Sequence, residues 1–456
     1  MISYSIINKS QLEGASRLDA EYYQPEYLTL AQKLRELSLP RISKLGLAVD
    51  ASAFYPSIAE YYTSDGIPFV RVADVVNFQL IEDDLLFLPK KIAEQYKTLR
   101  KGKPGDIIIT KGGTVGNAAL LPKKYPEYAL SRDIIFIRTS KLPEELAITI
   151  LLFLNSKFGI FQLLRGASQQ IQQHLTFPFI RDLNVPKIAI YEAVELYRKG
   201  LDEYENSKSL YAKAENLLLE ELGLKDFQVE DDLSFVVNLS DVKSANRVDA
   251  EHFQPKYDKL LEKIKQNKCQ VLTSIIENVN AKFDPIKTPD SEFKYVELAN
   301  INSSIGVIDG YTEVLGKEAP SRAKRLLKKD DVIVSSIEGS LEKVALADEE
   351  QDGYIASTGF FQFRSKELLP EVILIFAKSM VLQWQFKKHC AGTILTAVPG
   401  EALQKMFIPI ISKPTQQKIA ELVRKSHEAR KKSKELLEEA KRKVETSIET
   451  QSKRND

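Results

Sequence analysis

The sequence contains one unusual phrase twice. RLDAEYYQPEY occupies residues 17–27 and RVDAEHFQPKY occupies residues 247–257, and seven of the eleven positions are identical. The ungapped match extends over residues 5–27 and 235–257. Internal repeats constrain a fold more strongly than composition does, because each copy must fold in similar surroundings. The phrase therefore predicts a chain built from two related halves.

Five further pairs of segments follow the phrase in the same order and with similar spacing. These pairs are PFVRVADV (68–75) with KYVELANI (294–301), GDIIITKGGTVGNAAL (105–120) with DDVIVSSIEGSLEKVAL (330–346), YALSRDIIFIR (128–138) with YIASTGFFQFR (354–364), LLFLNSKFG with LIFAKSMVL, and DLNVPKI (182–188) with KMFIPII (405–411). Chance similarity of amphipathic segments does not account for six collinear matches. We therefore predict a duplication that covers most of the chain.

Each half carries the same kinds of local pattern. Short β-branched runs such as DIIIT and DVIVSS are bounded by glycine, proline and aspartate, which is typical of strands and turns. An apolar helical segment, a glycine-containing loop and a short strand ending in Val-Pro or Ile-Pro follow. The pattern predicts two mixed α/β modules. With the helical segments described next, it divides the chain into residues 1–190, 191–224, 225–411 and 412–456.

A long helical pattern follows each module. Residues 191–222 place apolar side chains at heptad-like spacing, and residues 414–449 repeat the spacing with smaller side chains. The first stripe is Val194, Tyr197, Leu201, Tyr204, Tyr211, Leu218 and Leu222, and the second is Ile419, Leu422, Ala429, Leu436, Ala440 and Val444. The first helix is acidic and the second basic, which favours their association. We predict a pair of long antiparallel, coiled-coil-like helices between the modules; the alternative is two independent solvated helices.

Composition places the chain among soluble globular proteins. It is 43% hydrophobic and 28% charged, with a net charge of +1. Cys269 and Cys390 form no CxxC motif, and no signal-peptide pattern is visible at the N-terminus, so we expect a cytoplasmic protein with reduced thiols. The apolar stretch 146–161 carries Asn155 and Lys157, and we interpret it as a buried helix rather than a membrane span.

Sequence patterns of catalysis are missing. The chain has no GxGxxG or Walker A motif and no methyltransferase tetrapeptide of the Asn-Pro-Pro-Tyr type. The four histidines, at 174, 252, 389 and 427, neither cluster nor show zinc-ligand spacing. In PDSEFK (289–294) two acidic residues stand close together in one loop-like stretch, unlike the separate strands of a metal-dependent nuclease site. We predict a non-catalytic chain that binds no metal or cofactor itself.

Two basic runs occupy matched positions before the same predicted strand. Residues 89–103 and 316–329 differ almost completely in sequence, yet both are rich in lysine and arginine. Phosphate backbones require charge density rather than particular residues. The predicted DNA contacts here are Lys90, Lys91, Lys97, Arg100, Lys101 and Lys103 in the first half, and Arg322, Lys324 and Arg325 in the second. A solvated helix face is the simpler alternative for either run alone.

Divergent polar loops follow the basic runs. TKGGTVGN (110–117) and SSIEGSLEK (335–343) combine glycines with hydroxyl groups that can bond phosphate. RGASQQIQQH (165–174) pairs arginine with glutamines, side chains that can bond guanine and adenine respectively. The candidate contacts are Thr110, Lys111, Thr114, Arg165, Gln169, Gln170 and Gln173, together with Ser335, Ser340 and Lys343. Any of these loops could equally be an ordinary turn.

The doubled phrase, the paired GDIIITKGGTVGNAAL and DDVIVSSIEGSLEKVAL segments, and the NVPKI and FIPII…PTQQKIAELV junctions together resemble the specificity subunits of type I restriction–modification systems. The resemblance covers nearly all of the chain. One departure is that the first junction lacks the Pro-x-Gln-Gln found at 414–417, so the two halves would not dock partners identically.

The resemblance implies two target recognition domains that read the halves of a split, asymmetric double-stranded DNA site. The helices would set the spacer and dock two methyltransferase subunits, which bring S-adenosylmethionine. Restriction subunits would bring ATP and Mg²⁺. The doubled phrase would then belong to the shared frame rather than to the reader, with Arg17 and Asp19 pairing locally or with a helical segment and Pro25 starting a helix.

Three other functions stay open at the level of sequence. The first is a DNA-recognition adaptor of another phage-defence assembly or of a solitary methyltransferase. The second is an enzyme built on a duplicated α/β scaffold, and the third is a scaffold that binds only proteins. The matched basic runs favour DNA as the partner.

Overall fold

The computed structural model describes residues 6–8, 20–53, 55–76, 78–82, 85–167, 175–229, 234–392 and 396–452. The chain divides into two compact units. Unit 1 comprises Met1–Asp202 and Lys432–Asp456, and unit 2 comprises Glu203–Lys431. Each unit therefore contains part of both long helices. The four-segment division made from the sequence stays a prediction.

Unit 1 contains short strands and mostly short helices. Its helices are α1 (Pro25–Glu36), α2 (Lys90–Gln95), α3 (Glu144–Leu154), α4 (Lys157–Gly166), α5 (Phe177–Arg181) and the first part of α6 (Tyr191–Glu221). Its strands are β1 (Val49–Ala51), β2 (Ile67–Val70), β3 (Val75–Val76), β4 (Gln79–Leu80), β5 (Leu86–Leu88), β6 (Lys101–Gly102), β7 (Ile107–Thr110), β8 (Ala118–Leu120), β9 (Tyr128–Leu130) and β10 (Ile134–Ile137).

Two four-stranded sheets form the centre of unit 1. The first has the order β1-β10-β7-β8 and is antiparallel throughout, and the second has the order β5-β2-β9-β6. Within the second sheet, β2 and β9 run parallel, with Phe69 opposite Ala129. The β-branched runs IIIT of β7 and IIFI of β10 are fully buried, which is why they read as continuous apolar segments in the sequence.

Unit 2 contains the remaining elements. Its helices are α7 (Leu239–Ala245), α8 (Pro255–Ile264), α9 (Leu272–Ile275), α10 (Pro370–Lys378), α11 (Met380–His389) and the first part of α12 (Lys413–Ser452). Its strands are β11 (Cys269–Val271), β12 (Ile276–Asn278), β13 (Glu292–Val296), β14 (Ile301–Asn302), β15 (Val307–Ile308), β16 (Thr312–Leu315), β17 (Ala323–Leu326), β18 (Val332–Ser335), β19 (Val344–Leu346), β20 (Ile355–Ser357), β21 (Phe360–Ser365) and β22 (Phe407–Pro409).

The sheets of unit 2 have the same strand order as those of unit 1. One sheet contains β12-β21-β18-β19 and continues into β15 and β14, and the other has the order β16-β13-β20-β17. β13 and β20 are again the parallel pair, with Tyr295 opposite Ile355. These two residues are the sequence counterparts of Phe69 and Ala129. The mixed α/β class predicted from the sequence is confirmed, and eight strands of each unit follow the same order. β3 and β4 form a separate pair in unit 1, whereas β14 and β15 extend the larger sheet of unit 2.

The apolar stretch at 146–161 forms two helices rather than the single predicted one. α3 ends at Leu154, and the buried Asn155 turns the chain by donating from Nδ2 to the carbonyl oxygens of Ala118 and Leu151, both at 3.0 Å. Ser156 then caps α4. No single helix in the described ranges is long and apolar enough to cross a membrane, although the pair α3–α4, bent by 65°, passes that test when taken together.

In unit 1, the early part of α6 packs on the late part of α12. Ser433 donates from Oγ to the carbonyl oxygen of Gly200 at 2.7 Å. A Cβ added at Gly200 would lie 2.9 Å from Cγ of Leu437, so only glycine permits this approach. Lys443 and Glu192 form an ion pair at 3.1 Å. Residues nearer the N-terminus of α6 therefore contact residues nearer the C-terminus of α12, so the two helices pack antiparallel.

In unit 2, the later part of α6 packs on the early part of α12 in the same register. Ser426 donates from Oγ to the carbonyl oxygen of Ser207 at 2.6 Å, seven residues along each helix from the bond between Ser433 and Gly200. Arg430 lies over the ring of Tyr204 at 4.9 Å. Small residues on both helices therefore alternate with bulky ones along the contact.

The predicted stripe of α12 is wrong by one residue at two positions. Leu422 and Leu436 are only partly buried, whereas Val423 and Leu437 lie in the buried seam. The buried seam contains Ser426 and Ser433, which hydrogen-bond to α6. Leucine is apolar on either side of a helix, so the sequence pattern alone did not separate Leu422 and Leu436 from their buried neighbours. In α6 the predicted stripe is buried except at Leu201, which is half-buried.

Candidate nucleic-acid interface

The doubled phrase contacts the C-terminal end of the corresponding helix in each unit, α4 in unit 1 and α11 in unit 2. In unit 1, Arg165 in the last turn of α4 donates from Nε to the carbonyl oxygen of Tyr22 at 3.1 Å and stacks over its ring at 3.9 Å. In unit 2, Arg247 donates from Nη2 to the carbonyl oxygen of Cys390, just after α11, at 2.7 Å. Pro25 begins α1 and Pro255 begins α8. The phrase therefore connects α1 with the end of α4 in unit 1, and α8 with the end of α11 in unit 2.

Arg165 holds Tyr22 through these contacts, and the base contact predicted for it stays a prediction. Arg17 and Asp19 lie outside the described residues. Their counterparts Arg247 and Asp249 form a bidentate pair at 2.8 and 2.6 Å, which is the local pairing predicted for the first copy. Gln169, Gln170 and Gln173, the other predicted readers of this loop, also lie outside the described residues.

A pair of histidines lies where the second copy of the phrase meets α11. The rings of His252 and His389 are 5.8 Å apart. Burial, reinforced by the positive charges of Lys388 and Lys405, lowers the pKa of His389 from 6.5 to about 4. Burial also lowers the pKa of His252. Both imidazoles are therefore neutral in the folded chain at neutral pH.

Acidification is expected to destabilise this contact. Because the pKa of His389 is about 4 in the folded chain and 6.5 as its ordinary value, only the unfolded chain takes up a proton between these limits. The stabilisation is complete above pH 6.5 and is lost as the pH falls toward 4. His389→Gln should make the unfolding midpoint fall less steeply over this range when denaturation is followed at several pH values. Equal slopes for the two proteins would contradict this assignment.

The first basic run presents several free lysines. Lys91, Lys97 and Lys103 are exposed and form no ion pair within the described ranges. The remaining members have acidic partners. Lys90 pairs with Glu94 at 3.9 Å, Arg100 with Asp50 at 3.3 Å, and Lys101 with Glu127 at 2.8 Å. This run retains cationic surface at Lys91, Lys97 and Lys103, and the DNA contacts predicted for them stay a prediction.

Three cations of the second basic run are paired with acids, as in the first run, and a fourth is buried. Lys324 pairs with Asp284 at 2.9 Å, Lys317 with Asp290 at 3.2 Å and Lys329 with Glu349 at 2.6 Å. Arg325 is only 8% exposed and donates from Nη1 to the carbonyl oxygen of Val279 at 2.7 Å. The acidic partners come from distant parts of the sequence. Arg325 is therefore a structural residue, contrary to the DNA contact predicted for it.

Arg322 and Lys328 remain exposed in the second run without an ion pair in the described part of the chain. The two runs occupy matched positions and leave three and two exposed cations, respectively, without an ion pair in the described ranges.

Hydroxyl groups predicted to contact phosphate instead shape the glycine loops. Thr110 is fully buried, and its Oγ1 donates to the carbonyl oxygen of Thr114 at 2.5 Å and accepts from the amide of Asn117 at 3.0 Å. Ser335 is likewise buried, and its Oγ lies 3.2 Å from that of Ser340. Both side chains close a turn, because a hydroxyl can replace a backbone partner there. The predicted ligand contacts of Thr110 and Ser335 are therefore corrected.

Lys343 also holds a loop rather than facing solvent. Its Nζ donates to the carbonyl oxygen of Ile301 and to Oγ of Ser303, both at 3.3 Å. In unit 1, Asn117 makes the equivalent bond to the carbonyl oxygen of Val75 at 3.1 Å. Lys343 thus ties the loop to the sheet, and the DNA contact predicted for it stays a prediction. The exposed apex of each loop is Gly113–Thr114 in unit 1 and Glu338–Gly339 in unit 2.

Three chain segments meet beside each glycine loop. In unit 1 the amide of Ser131, just after β9, donates to the carbonyl oxygen of Val70, the last residue of β2, at 2.9 Å. The amide of Lys111, just after β7, donates to the carbonyl oxygen of Asp133 at 2.8 Å. We call the residues that follow these strands the carboxyl edge: Arg71, Lys111 and Arg132 in unit 1, and Glu297, Ser336 and Thr358 in unit 2.

Sequence reasoning missed most of this edge, including its aromatic residues. Tyr55 accepts at its hydroxyl from the amide of Arg132 at 3.2 Å, and the ring of Tyr62 stacks 5.8 Å from that of Phe69. Burial raises the pKa of both tyrosines, so they stay neutral hydrogen-bonding groups. The signal was present in the aligned segments, where Arg71 stands opposite Glu297 and Arg132 opposite Thr358. The signal is a change of side-chain charge at single positions within aligned segments that otherwise match.

The described ranges hold no cluster of three or more histidine, cysteine, aspartate or glutamate side chains arranged to bind a metal ion. The edge is instead rich in arginine, hydroxyl and amide groups, which are hydrogen-bonding rather than metal-binding chemistry.

Residues 263–441 match the family model of the type I restriction modification DNA specificity domain. Two solved structures are 28% identical over 34% of this chain: one concerns complex assembly and conformational transition of the type I R-M system (TM-score 0.31), and the other is the HsdS subunit from Thermoanaerobacter tengcongensis (TM-score 0.30). The match spans 40% of each of those chains.

The S subunit of the type I restriction–modification system from M. genitalium is similar over 92% of this chain and 95% of its own, at 13% identity and a TM-score of 0.37. No curated protein matches the chain.

Proposed function

We propose that the whole chain is the specificity subunit of a type I restriction–modification system, because residues 263–441 match the family model of the type I restriction modification DNA specificity domain. Unit 1 and unit 2 each act as a target recognition domain, and together they read a bipartite, asymmetric site in double-stranded DNA. The chain itself has no active site in this proposal. It supplies recognition to catalytic partners.

The shared strand order of the two units carries this proposal. The orders β1-β10-β7-β8 and β5-β2-β9-β6 recur in unit 2 with the same parallel pair. The side chains at the carboxyl edge differ between the units, while the backbone that presents them is held in the same way. A constant frame with different polar groups is the expected design for two readers of different base sequences.

The helices and the partners complete the assembly that we propose. α6 and α12 act as an antiparallel spacer that sets the distance between the half-sites and docks two methyltransferase subunits. Those subunits carry S-adenosylmethionine, and the restriction subunits carry ATP and Mg²⁺. The assembly works on chromosomal and invading DNA in the cytoplasm, away from membranes. The register bonds of Ser426 and Ser433 support a fixed helix pair.

The test is co-expression of this chain with its methyltransferase partner, followed by sequencing of methylated sites. We expect a motif of two short specific halves separated by unspecified bases, and no methylation by the methyltransferase alone. A continuous motif, or none, would contradict the proposal. Binding of duplex DNA should weaken steeply with salt, because phosphate contacts release counterions.

A further inference from the structure

We propose that the carboxyl edge decides which bases each unit prefers, with unit 1 reading guanine through Arg132 and unit 2 reading cytosine through Glu297. This inference rests on the proposed function and names the chemistry of its two half-sites. The edge was defined above by the residues that follow β2, β7 and β9 in unit 1 and their counterparts in unit 2.

The backbone at this edge is held identically in the two units. The amide of Arg71 donates to Oδ2 of Asp74 at 2.7 Å, and the amide of Glu297 donates to Oδ1 of Asn300 at 2.8 Å. At the start of the glycine loop of unit 1, the amide of Lys111 donates to the carbonyl oxygen of Asp133 at 2.8 Å. At the equivalent place in unit 2, the amide of Ser336 donates to the carbonyl oxygen of Gly359 at 2.9 Å. Side chains at equivalent positions therefore start from equivalent backbone.

The side chains themselves differ in charge, and at one position the sign is reversed. Three cations of unit 1, Arg71, Lys111 and Arg132, are replaced in unit 2 by one carboxylate and two hydroxyls, those of Glu297, Ser336 and Thr358. If these side chains only stabilised the fold, the same backbone contacts would not require different charges in the two units. Two surfaces of the same shape but different hydrogen-bonding character are suited to different ligands of one class.

Arg132 is the best placed of the unit 1 cations to reach a base. Its side chain is 58% exposed, and its acidic neighbour Asp133 is 3.8 Å away, too far for a strong hydrogen bond. The adjacent Tyr55 hydroxyl fixes the Arg132 amide and so positions the residue. Arginine forms its commonest specific DNA contact with O6 and N7 of guanine, because its planar fork matches two acceptors.

Arg71 contributes positive charge and a fixed guanidinium plane. Its Nε and Nη2 donate to the two carboxylate oxygens of Asp74 at 3.1 and 2.8 Å, and Asp74 is buried. The pair holds this cation at the edge beside the glycine loop, where a Cβ on Gly113 would contact Cγ1 of Val72 at 3.5 Å. In unit 2 the exposed Glu297 occupies the equivalent place, and a carboxylate accepts from N4 of cytosine.

The test uses the full chain in complex with its methyltransferase subunits and a library of randomised DNA duplexes, with bound duplexes sequenced. In Arg132→Thr, which installs the residue found at the equivalent position of unit 2, the guanine preference at one position of one half-site should fall roughly tenfold to a hundredfold. The other half-site should keep its motif. Glu297→Gln should relax one cytosine in the other half-site by a similar factor.

Arg41→Thr is the matched control, because Arg41 is also 58% exposed and pairs with Asp182 away from this edge. It should leave both half-sites unchanged. A uniform loss of affinity across all sequences in Arg132→Thr would overturn the inference, since it identifies a phosphate contact. A wild-type complex that selects no bipartite motif would refute the proposed function instead.

Discussion

Asp331→Ala is expected to lower the free energy of unfolding of unit 2 by about 3 kcal/mol. Asp331 is fully buried at the turn that precedes β18. Its carboxylate accepts from Nη2 of Arg364 at 2.8 Å, from Nε2 of Gln362 at 2.7 Å and from the amide of Lys328 at 2.7 Å. Nε of Arg364 also donates to it. Removing the acceptor leaves these donors without their shared partner.

Trp384, the single tryptophan of the chain, makes the measurement specific to unit 2. It packs near Phe227 and Tyr257, so its fluorescence during chemical denaturation reports that unit. Asp290→Ala is the matched control, because Asp290 is 86% exposed and pairs only with Lys317; we expect a change of about 0–1 kcal/mol. Comparable losses in the two variants would contradict the role assigned to Asp331.

Lengthening both long helices by one heptad is expected to lengthen the unspecified spacer of the DNA site without changing the half-sites. The insertions belong between Asp202 and Glu203 in α6 and between Lys431 and Lys432 in α12, where the unit boundary crosses each helix. Seven residues add about 10 Å of helix and nearly preserve its facing, because two helical turns contain about seven residues. This is about three base-pair steps of B-form DNA.

Methylation mapping would measure the result. A seven-residue insertion in the coil at 234–238 serves as the control, since it lengthens the chain but neither helix, and it should leave the spacer as it is. Insertion in α6 alone should instead misalign the serine bonds between the helices and destabilise the fold. If the double insertion methylates DNA with the original spacing, the helices do not set the spacer.

The repeat predicted much of the fold because its signals are local. Continuous β-branched runs identified β7 and β18, and the aligned segments implied the same strand in each half. The break between α3 and α4 was missed, since it depends on Asn155 reaching the carbonyl oxygen of Ala118. That contact lies between elements distant in sequence, and helical periodicity does not report it.

The candidate site was harder to predict than the fold. A basic run shows how many cations a segment has, but not which acids the fold brings to them. Lys324 finds Asp284 forty residues earlier, and Arg325 points inward from β17. Aligning the two halves for differences rather than identities would have identified positions 132 and 358, because there the frame is constant and the charge is not.

The serine bonds between the long helices have a further consequence. Both bonds run from a serine hydroxyl of α12 to a carbonyl oxygen of α6, and they lie seven residues apart along each helix. Between separate chains, contacts of this kind form only when two molecules meet. Here one polypeptide contains both sides, so covalent linkage replaces protein concentration in bringing them together.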